Sequence, residues 1–331
     1  MEICARPLDG HGRPGTVPVS SPVVVIAGPT AVGKTAVAVA VASQIGNVEL
    51  INADSRQVRR GCSVATCAAT EEQLGGVRLH LSGYVGLSEL YSVWDWVRDC
   101  KAAMARIEQA GNIPLIVGGT GLFLEALLSG WSLGAGAGAP PTRSSRSVLA
   151  QEPGGLAQLV SELLARDPGA AEIVDVRNPR RVIRALEQLD AGFPSVGNAR
   201  GIETRVAAVS FLLEMERSLN DSIIYSRAKQ MIQDGSLLLE IGALRAQGFG
   251  EAEICRGGIG YLEGMALQEG QISAAEAVER IARRTRKYAK AQRTWFRHHL
   301  KDATPVPMGD GVASAAGMVL AHSAGPRALI N

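Results

Sequence analysis

Cysteines, aromatic residues and long apolar runs are all scarce in this chain of 331 residues. No apolar segment approaches the length of a membrane span, and residues 1–20 lack the apolar core of a signal peptide. The five cysteines form no C-x-x-C pair and have no histidine spacing suited to zinc. Because an odd count favours reduced thiols, we expect a cytoplasmic protein without a membrane segment.

The net charge of the chain is also small. A formal net charge of +2 does not by itself argue for a nucleic-acid partner, so the distribution of the charges must be considered instead. With 46% hydrophobic and 20% charged residues, the composition is typical of a globular protein. The length allows one large domain with a smaller insertion.

The most informative stretch is an apolar run that leads into a glycine loop. Val23–Ala27 predicts a strand, Gly28–Thr35 reads G-x-x-x-x-G-K-T, and Thr35–Gln44 predicts a helix. This order is that of a P-loop, whose backbone N–H groups surround phosphate oxygens. Lys34 adds positive charge, and the hydroxyl of Thr35 is a ligand for Mg²⁺. The predicted phosphate contacts are Gly28, Thr30, Ala31, Gly33, Lys34 and Thr35.

A carboxylate follows the next predicted strand, Val48–Asn52. Asp54 would lie at the edge of the sheet where ligands bind in open α/β folds. Two roles suit it, a ligand of Mg²⁺ or its waters and a general base facing the acceptor. A merely structural role, capping the following helix, is the alternative.

A second glycine turn follows the predicted strand Ile113–Val117. Gly118–Gly121 would open a helix and could hold the far end of a diphosphate, with Thr120 as a hydrogen-bond donor. Tight packing of strand against helix, which also requires glycine, is the competing explanation.

The alternation of β-branched runs and helical segments predicts an α/β fold, a P-loop NTPase-like parallel sheet flanked by helices. A further helix is predicted at Trp94–Ala110 and a returning strand at Val206–Leu213, with helices from Leu219 to about residue 300. The predicted organisation is a flexible extension (1–21), a P-loop core (22–130), a mainly helical insertion that begins with a Gly/Ala/Pro linker at 134–141 (131–200), the returning strand and C-terminal helices (201–300) and a disordered tail (301–331).

Positive charge is concentrated near the C-terminus. Residues 280–297 contain eight Lys and Arg, no acidic residue, and three interleaved aromatics, which favours contact with a polyanion. A smaller arginine cluster lies at 177–184.

Together these pieces resemble the tRNA dimethylallyltransferases, also called tRNA isopentenyltransferases. The most specific matching strings are Asp-Ser-Arg-Gln-Val at 54–58 and Thr-Arg-Lys-Tyr-Ala-Lys-Ala-Gln-Arg-Thr-Trp-Phe-Arg at 285–297, and the order of motifs holds from about 22 to 298. The resemblance implies transfer of a dimethylallyl group from its diphosphate to N6 of the adenosine 3′ of the anticodon in tRNA, with Mg²⁺.

The same resemblance assigns roles to residues. Asp54 would be the catalytic base, Thr120 would orient the diphosphate, and Gly119 and Arg227 would contact it. The predicted base and tRNA contacts are Ser55, Gln57, Arg181, Arg284, Lys287 and Arg293. We expect a monomer whose partners are the anticodon stem-loop of tRNA and dimethylallyl diphosphate.

One segment departs from the family pattern. Residues 63–69 read Ser-Val-Ala-Thr-Cys-Ala-Ala where the family usually has Asp-Ile-Gly-Thr-Ala-Lys-Pro, and Arg59 replaces an aromatic residue. Three alternatives therefore stay open: transfer to a free adenine nucleotide or another small molecule, a P-loop kinase of a small metabolite, and an RNA-binding protein without catalysis.

Overall fold

The centre of the molecule is a six-stranded parallel sheet. The computed structural model describes residues 22–132, 145–190, 192, 195–196, 201–202 and 205–323. The strands are β1 (Val23–Ala27), β2 (Val48–Asn52), β3 (Leu79–His80), β4 (Ile113–Gly118), β5 (Trp131–Ser132), β6 (Gly201–Ile202), β7 (Ala208–Glu214) and β8 (Thr304–Pro307). The sheet has the order β3-β2-β4-β1-β7-β8, while β5 and β6 form a separate antiparallel pair.

The described residues also form helices around this sheet. They are α1 (Lys34–Ile45), α2 (Ser63–Thr66), α3 (Glu71–Leu74), α4 (Val93–Gln109), α5 (Gly121–Leu128), α6 (Ser145–Leu149), α7 (Gly155–Arg166), α8 (Ala170–Ile173), α9 (Pro179–Asp190), α10 (Arg217–Gln233), α11 (Ser236–Ala246), α12 (Glu251–Gly257), α13 (Tyr261–Gln268), α14 (Ala274–His299) and α15 (Gly311–Ser323). The predicted α/β class is confirmed. The predicted strands and the helices after β1 and before β4 match the observed bounds within two residues.

The sequence explains why the central strands are covered on both sides. All five residues of β1 are buried, as expected for a β-branched run in a parallel sheet with two packed faces. One face packs against α1 and α15, through residues such as Val41 and Val319. The opposite face packs against α4, α5 and the end of α14, where Trp96 stacks on Phe123 with ring centroids 4.7 Å apart.

The predicted disorder of the tail 301–331 is wrong for the part of it that the structure describes. β8 pairs in parallel with β7, and α15 packs along α1. Val306, Ala315 and Val319 are fully buried. The Gly- and Ala-rich composition suggested disorder, but small residues allow α15 to approach the P-loop helix closely and so complete the sheet's second face.

The helices outside the sheet form two further cores. Helices α7 to α9, within the predicted insertion, bury an apolar cluster of their own that includes Leu163 and Leu186. A larger cluster joins α10, α11, α13 and α14 around the fully buried Tyr261. The predicted extension at 1–21 and linker at 134–141 lie outside the described residues.

Two general expectations concern membranes and thiols. Among the helices that the structure describes, none combines the length and apolarity needed to cross a bilayer. The cysteines in the described ranges, Cys62, Cys67, Cys100 and Cys255, are free thiols.

Candidate active site

The P-loop lies at the carboxyl end of β1, which is one of the two central strands of the sheet. Gly28 has φ +158°, and a Cβ there would come within 3.0 Å of Val32 and 3.1 Å of the Leu213 carbonyl oxygen, so glycine is required. Ala31 has φ 65°, which is unusual for a residue with a side chain. Gly33 has φ +95° and precedes α1. Left-handed residues in such a turn are typical of the backbone nests that bind anions.

The lysine of the motif folds back over this loop. Lys34 Nζ donates a hydrogen bond to the carbonyl oxygen of Pro29 over 2.8 Å. Burial lowers the pKa of Lys34 to about 8, with Asp54 opposing that shift and Arg227 adding to it. The ammonium is therefore still mostly charged at neutral pH, and an anion bound in the loop would compensate its lost hydration.

Asp54 follows β2 and is fixed by a local turn. Its backbone N–H donates to Asn52 Oδ1 over 3.2 Å, and its own Oδ1 accepts from the backbone N–H of Arg56 over 2.9 Å. Asn52 is buried, and its carbonyl oxygen accepts from the indole Nε1 of Trp96. The carboxylate is thus held at the strand end that faces the P-loop.

Thr120 connects the second glycine turn to the same place. Its Oγ1 accepts from the backbone N–H of Ser55 over 2.8 Å, and its own N–H donates to the Ala53 carbonyl oxygen over 3.0 Å. A Cβ on Gly118 would overlap the backbone of Ala53, so the close approach of the two loops requires that glycine. In the sheet, β4 lies between β1 and β2. The P-loop, Thr120 and Asp54 follow these three strands and are therefore brought together at the carboxyl ends of the strands.

A cavity of about 500 Å³ opens in front of these groups. Its wall contains Lys34, Asp54 and Arg227, and the predicted phosphate contacts Thr30, Ala31, Gly33 and Thr35 line it as well. A smaller and more apolar pocket adjoins it, sharing Asp54, Arg227 and Met231 and also lined by Ile224 and Ile281. The arrangement can hold an anionic group beside a carboxylate and leaves an apolar recess next to both.

The divergent segment forms one wall of the cavity. Ser63–Thr66 folds into the short helix α2, whose first turn is capped by the buried carboxylate of Glu240. That carboxylate accepts from the backbone N–H groups of Val64 (2.7 Å) and Ala65 (3.1 Å) and from the Tyr261 hydroxyl (2.7 Å). The altered sequence is therefore an ordered part of the site.

Gln57 and Arg59 attach the same segment to its surroundings. Gln57 Nε2 donates to the carbonyl oxygens of Thr66 and Cys67. The Arg59 guanidinium donates to the carbonyl oxygens of Gly86 (2.8 Å) and Glu89 (2.6 Å). Arg59 thus supports a neighbouring loop from the position where an aromatic residue is usual in the pattern.

The predicted tRNA contacts on α9 and α14 differ in whether their side chains bind another residue of the protein. Lys287 on α14 and Arg181 on α9 are exposed. Arg284 donates to the buried carboxylate of Glu263 over 2.7 Å. Arg293 donates to Asn220 Oδ1 over 2.8 Å. These contacts give Arg284 and Arg293 a structural role in the folded chain.

Residues of α14 that were missed as site residues also reach this edge of the sheet. Gln292 is buried and contacts both glycine loops, and Tyr288 lines the smaller pocket with the Arg56 guanidinium 4.4 Å from its ring centre. Burial raises the pKa of Tyr288 to about 12, so its hydroxyl stays protonated. The string at 285–297 contains both residues, and its many charges mask the inward face of the helix in the sequence. The spacing of Ala289, Gln292 and Phe296 was the available signal.

Few protein groups in this cavity are suited to hold a metal ion. Within the described ranges, no cluster of three or more His, Cys, Asp or Glu side chains could hold a metal ion. The Thr35 hydroxyl and the Asp54 carboxylate do line one cavity. This sparse oxygen set fits Mg²⁺, which keeps waters and binds through one or two protein groups together with substrate phosphates.

The fold and the site together define an α/β P-loop protein with a carboxylate facing its phosphate loop. A model of the family described as IPP transferase matches residues 57–299. The tRNA dimethylallyltransferase of Bacillus licheniformis is 37% identical over 292 residues, which are 86% of this chain and 91% of that protein. The corresponding protein of Streptococcus thermophilus is 37% identical over 277 residues, covering 84% and 88%.

Solved structures agree with this match. The full-length tRNA isopentenylpyrophosphate transferase of Bacillus halodurans has a TM-score of 0.64 and 31% identity, covering 91% of this chain and 96% of that one. A eukaryotic dimethylallyltransferase acting on tRNA has a TM-score of 0.73 at 23% identity, which shows the shared fold. The chain belongs to the tRNA dimethylallyltransferase (IPP transferase) family of prenyl-transferring enzymes.

Proposed function

We propose that the protein transfers a dimethylallyl group from dimethylallyl diphosphate to N6 of the adenosine 3′ of the anticodon in tRNA and releases diphosphate. The observation that carries the proposal is that Lys34 and Asp54 line one cavity, while Thr120 holds the loop of Asp54 through its hydrogen bond with the Ser55 N–H. Family membership supplies the chemical class, and the relatives named above are described as acting on tRNA.

The diphosphate is held by the P-loop and by the second glycine turn. Ala31, the Lys34 ammonium and Arg227 line the cavity, and these groups together with the backbone N–H groups after Ala31 surround the diphosphate. Gly119, which lies close to Lys34 Nζ, and Thr120 are proposed to meet its far side. These groups stabilise the negative charge that grows on the leaving oxygen as the bond from C1 to that oxygen breaks. Thr35 would hold Mg²⁺ when it is bound, and the ion would supply further stabilisation of the same charge.

Asp54 handles the proton of the acceptor. The exocyclic amine of adenine is a weak nucleophile, and a carboxylate within hydrogen-bond reach takes its proton as the bond from N6 to C1 forms. The product is N6-dimethylallyladenosine, with the proton on the Asp54 carboxylate and the electron pair of the broken bond on the diphosphate. The turn that presents Oδ1 to the Arg56 N–H fixes the orientation of the carboxylate.

The acceptor reaches this cavity from the side of α14. An adenine in a tRNA loop must leave its stack to enter a pocket of this kind. Ser55 and Gln57 follow Asp54 in the chain and are proposed to meet that base. Exposed cations on α14, Arg283, Lys287, Lys290 and Arg297, are proposed to contact backbone phosphates, as is Arg181 on α9. The monomeric state and cytoplasmic location stay predictions.

Labelled dimethylallyl diphosphate tests the proposal directly. The protein is incubated with this donor, Mg²⁺ and either unmodified tRNA or a mixture of AMP, ADP and ATP. We expect label in tRNA and none in the nucleotides. Label confined to the nucleotides, or phosphorylation of a small metabolite in place of prenyl transfer, would replace this function by one of the alternatives.

A further inference from the structure

Gln292 lies in the middle of the basic helix α14, yet its side chain points into the protein. It is 6% exposed, in a helix whose neighbouring positions 290 and 291 are exposed. A buried amide is costly unless its donor and its acceptor both find partners. Both do so here, and each partner belongs to a different phosphate loop.

The amide spans the gap between those loops. Gln292 Oε1 accepts from the backbone N–H of Thr30 in the P-loop over 2.8 Å. Its Nε2 donates to the carbonyl oxygen of Gly119 in the turn after β4, also over 2.8 Å. A Cβ on Gly119 would lie 2.5 Å from this nitrogen, so the glycine admits the amide.

A second chain of contacts holds the other side of the Thr30 peptide. The Thr30 carbonyl oxygen accepts from Asn220 Nδ2 over 3.1 Å, and Asn220 Oδ1 in turn accepts from Arg293 of α14. Both polar groups of the Thr30 backbone are thus held through α14. The next residue is Ala31, whose left-handed backbone is strained for a residue with a side chain and persists only when its surroundings impose it.

We infer that Gln292 is a positioning residue for donor binding: its amide holds Thr30 and Gly119 at a fixed separation and keeps Ala31 in its left-handed conformation. The N–H groups that follow Ala31 are thereby aimed into the cavity before the diphosphate arrives. This role rests on the proposed function, since it takes the bound anion to be the diphosphate of the donor. In this arrangement, the loops proposed to bind the donor and the exposed cations proposed to contact RNA lie on opposite faces of α14.

Inorganic diphosphate is the probe, because its binding needs no acceptor and no turnover. Its affinity is measured by calorimetry, with Mg²⁺, for the wild type and for Gln292→Met, which keeps the length of the side chain and loses both hydrogen bonds. We expect Gln292→Met to bind diphosphate about tenfold or more weakly. The affinity for tRNA, measured in parallel, should change less than about threefold. Gln271→Met, the same exchange at an exposed position, is the control and should match the wild type.

A second variant keeps the test decisive if Gln292→Met folds poorly. Gln292→Glu preserves the shape and one acceptor oxygen but, as a carboxylate, cannot donate to Gly119. Its diphosphate affinity relative to the wild type should be low at neutral pH and recover on acidification, because the protonated acid regains a donor. Because the carboxylate also repels the anion, this recovery supports the hydrogen bonds only together with a loss of affinity in the uncharged Gln292→Met.

The outcomes separate the two proposals. Equal diphosphate affinity in the wild type and both Gln292 variants overturns the positioning role and leaves the prenyl-transfer function standing. Parallel losses of diphosphate and tRNA affinity in a destabilised protein also overturn it, since they indicate a general packing role. A wild type that does not bind diphosphate contradicts the proposed function itself.

Discussion

The backbone N–H of Ser55 donates to Thr120 Oγ1 over 2.8 Å, and this bond joins the loop after β2 to the turn after β4. Asp54 is the residue immediately before Ser55, so the position of the proposed base depends on a hydroxyl that comes from another strand. The Thr120 hydroxyl also donates to Ser55 Oγ over 3.2 Å. Thr120 therefore helps to hold the loop that carries Asp54, in addition to its proposed contact with the diphosphate.

Replacing Thr120 by valine should remove this link with little change in volume. The Ser55 N–H then loses its partner, which costs about 1–3 kcal/mol when a buried group is left unsatisfied. We expect kcat to fall about tenfold or more in Thr120→Val, whereas Thr120→Ser keeps the hydroxyl and should stay within about threefold of the wild type. Steady-state kinetics of transfer to tRNA measure both, and equal losses in the two variants would contradict the role of the hydroxyl.

Asp54→Asn tests the base while preserving the local turn. The amide oxygen can still accept from the Arg56 N–H, but the side chain can no longer take a proton. Transfer should fall by about 10²–10⁴-fold, with tRNA affinity unchanged. Asp234→Asn, which alters another carboxylate on the rim of the same cavity, is the matched control and should retain activity. Full activity in Asp54→Asn would exclude Asp54 as the base.

The lowered pKa of Lys34 predicts a pH dependence of anion binding. Its ammonium is charged below the pKa of about 8 and loses its proton above it. The affinity of the free protein for inorganic diphosphate should therefore fall by up to about tenfold between about pH 7 and about pH 9. Lys34→Met should bind more weakly throughout and lack this component, while the ionisation of diphosphate itself affects both proteins alike. The same slope in both would contradict the assignment.

Two neighbouring cations on α14 should respond differently to the same substitution. Lys287→Met removes an exposed charge, so it should weaken tRNA binding and lower its salt dependence without changing the melting temperature. Arg284→Met leaves the buried carboxylate of Glu263 without its ion pair and should lower the melting temperature. Filter binding at several salt concentrations and thermal denaturation distinguish them, and a reversed pattern would contradict the division drawn between the two side chains.

Ending the chain after Ala303 should destabilise the P-loop core. The truncation removes β8 and α15, and so uncovers apolar side chains on α1 that pack against Val319 and Ala316. We expect the free energy of unfolding to fall by several kilocalories per mole, because each buried aliphatic side chain contributes about 1.5–3 kcal/mol. Urea denaturation of the two proteins measures the difference, and an unchanged midpoint would restore the disordered-tail interpretation.

Local patterns in the sequence were sufficient for the central strands of the sheet. The β-branched runs before Gly28 and Gly118 predicted two of these strands, and their glycine turns predicted the two loops. The strand before Asp54 was expected beside β1, but β4 lies between them, and no local pattern indicates that order. Gln292 and Glu240 were missed, because each stabilises a loop more than 170 positions away. The periodicity of α14 places Gln292 on its inward face, but no periodicity within α14 or α11 identifies the distant loop that the side chain contacts. The predicted disorder of the tail was wrong for a related reason. β8 pairs with β7 and α15 packs on α1, and both partners lie much earlier in the chain.

The most direct test of the central claim uses two tRNA transcripts that differ in one base. One carries adenosine immediately 3′ of the anticodon, and the other carries guanosine there. Each is incubated with the wild type, Mg²⁺ and labelled dimethylallyl diphosphate, then digested to nucleosides and analysed by mass spectrometry. The account predicts N6-dimethylallyladenosine from the first transcript only. Equal label in both transcripts, or label solely in added free adenine nucleotides, would contradict it.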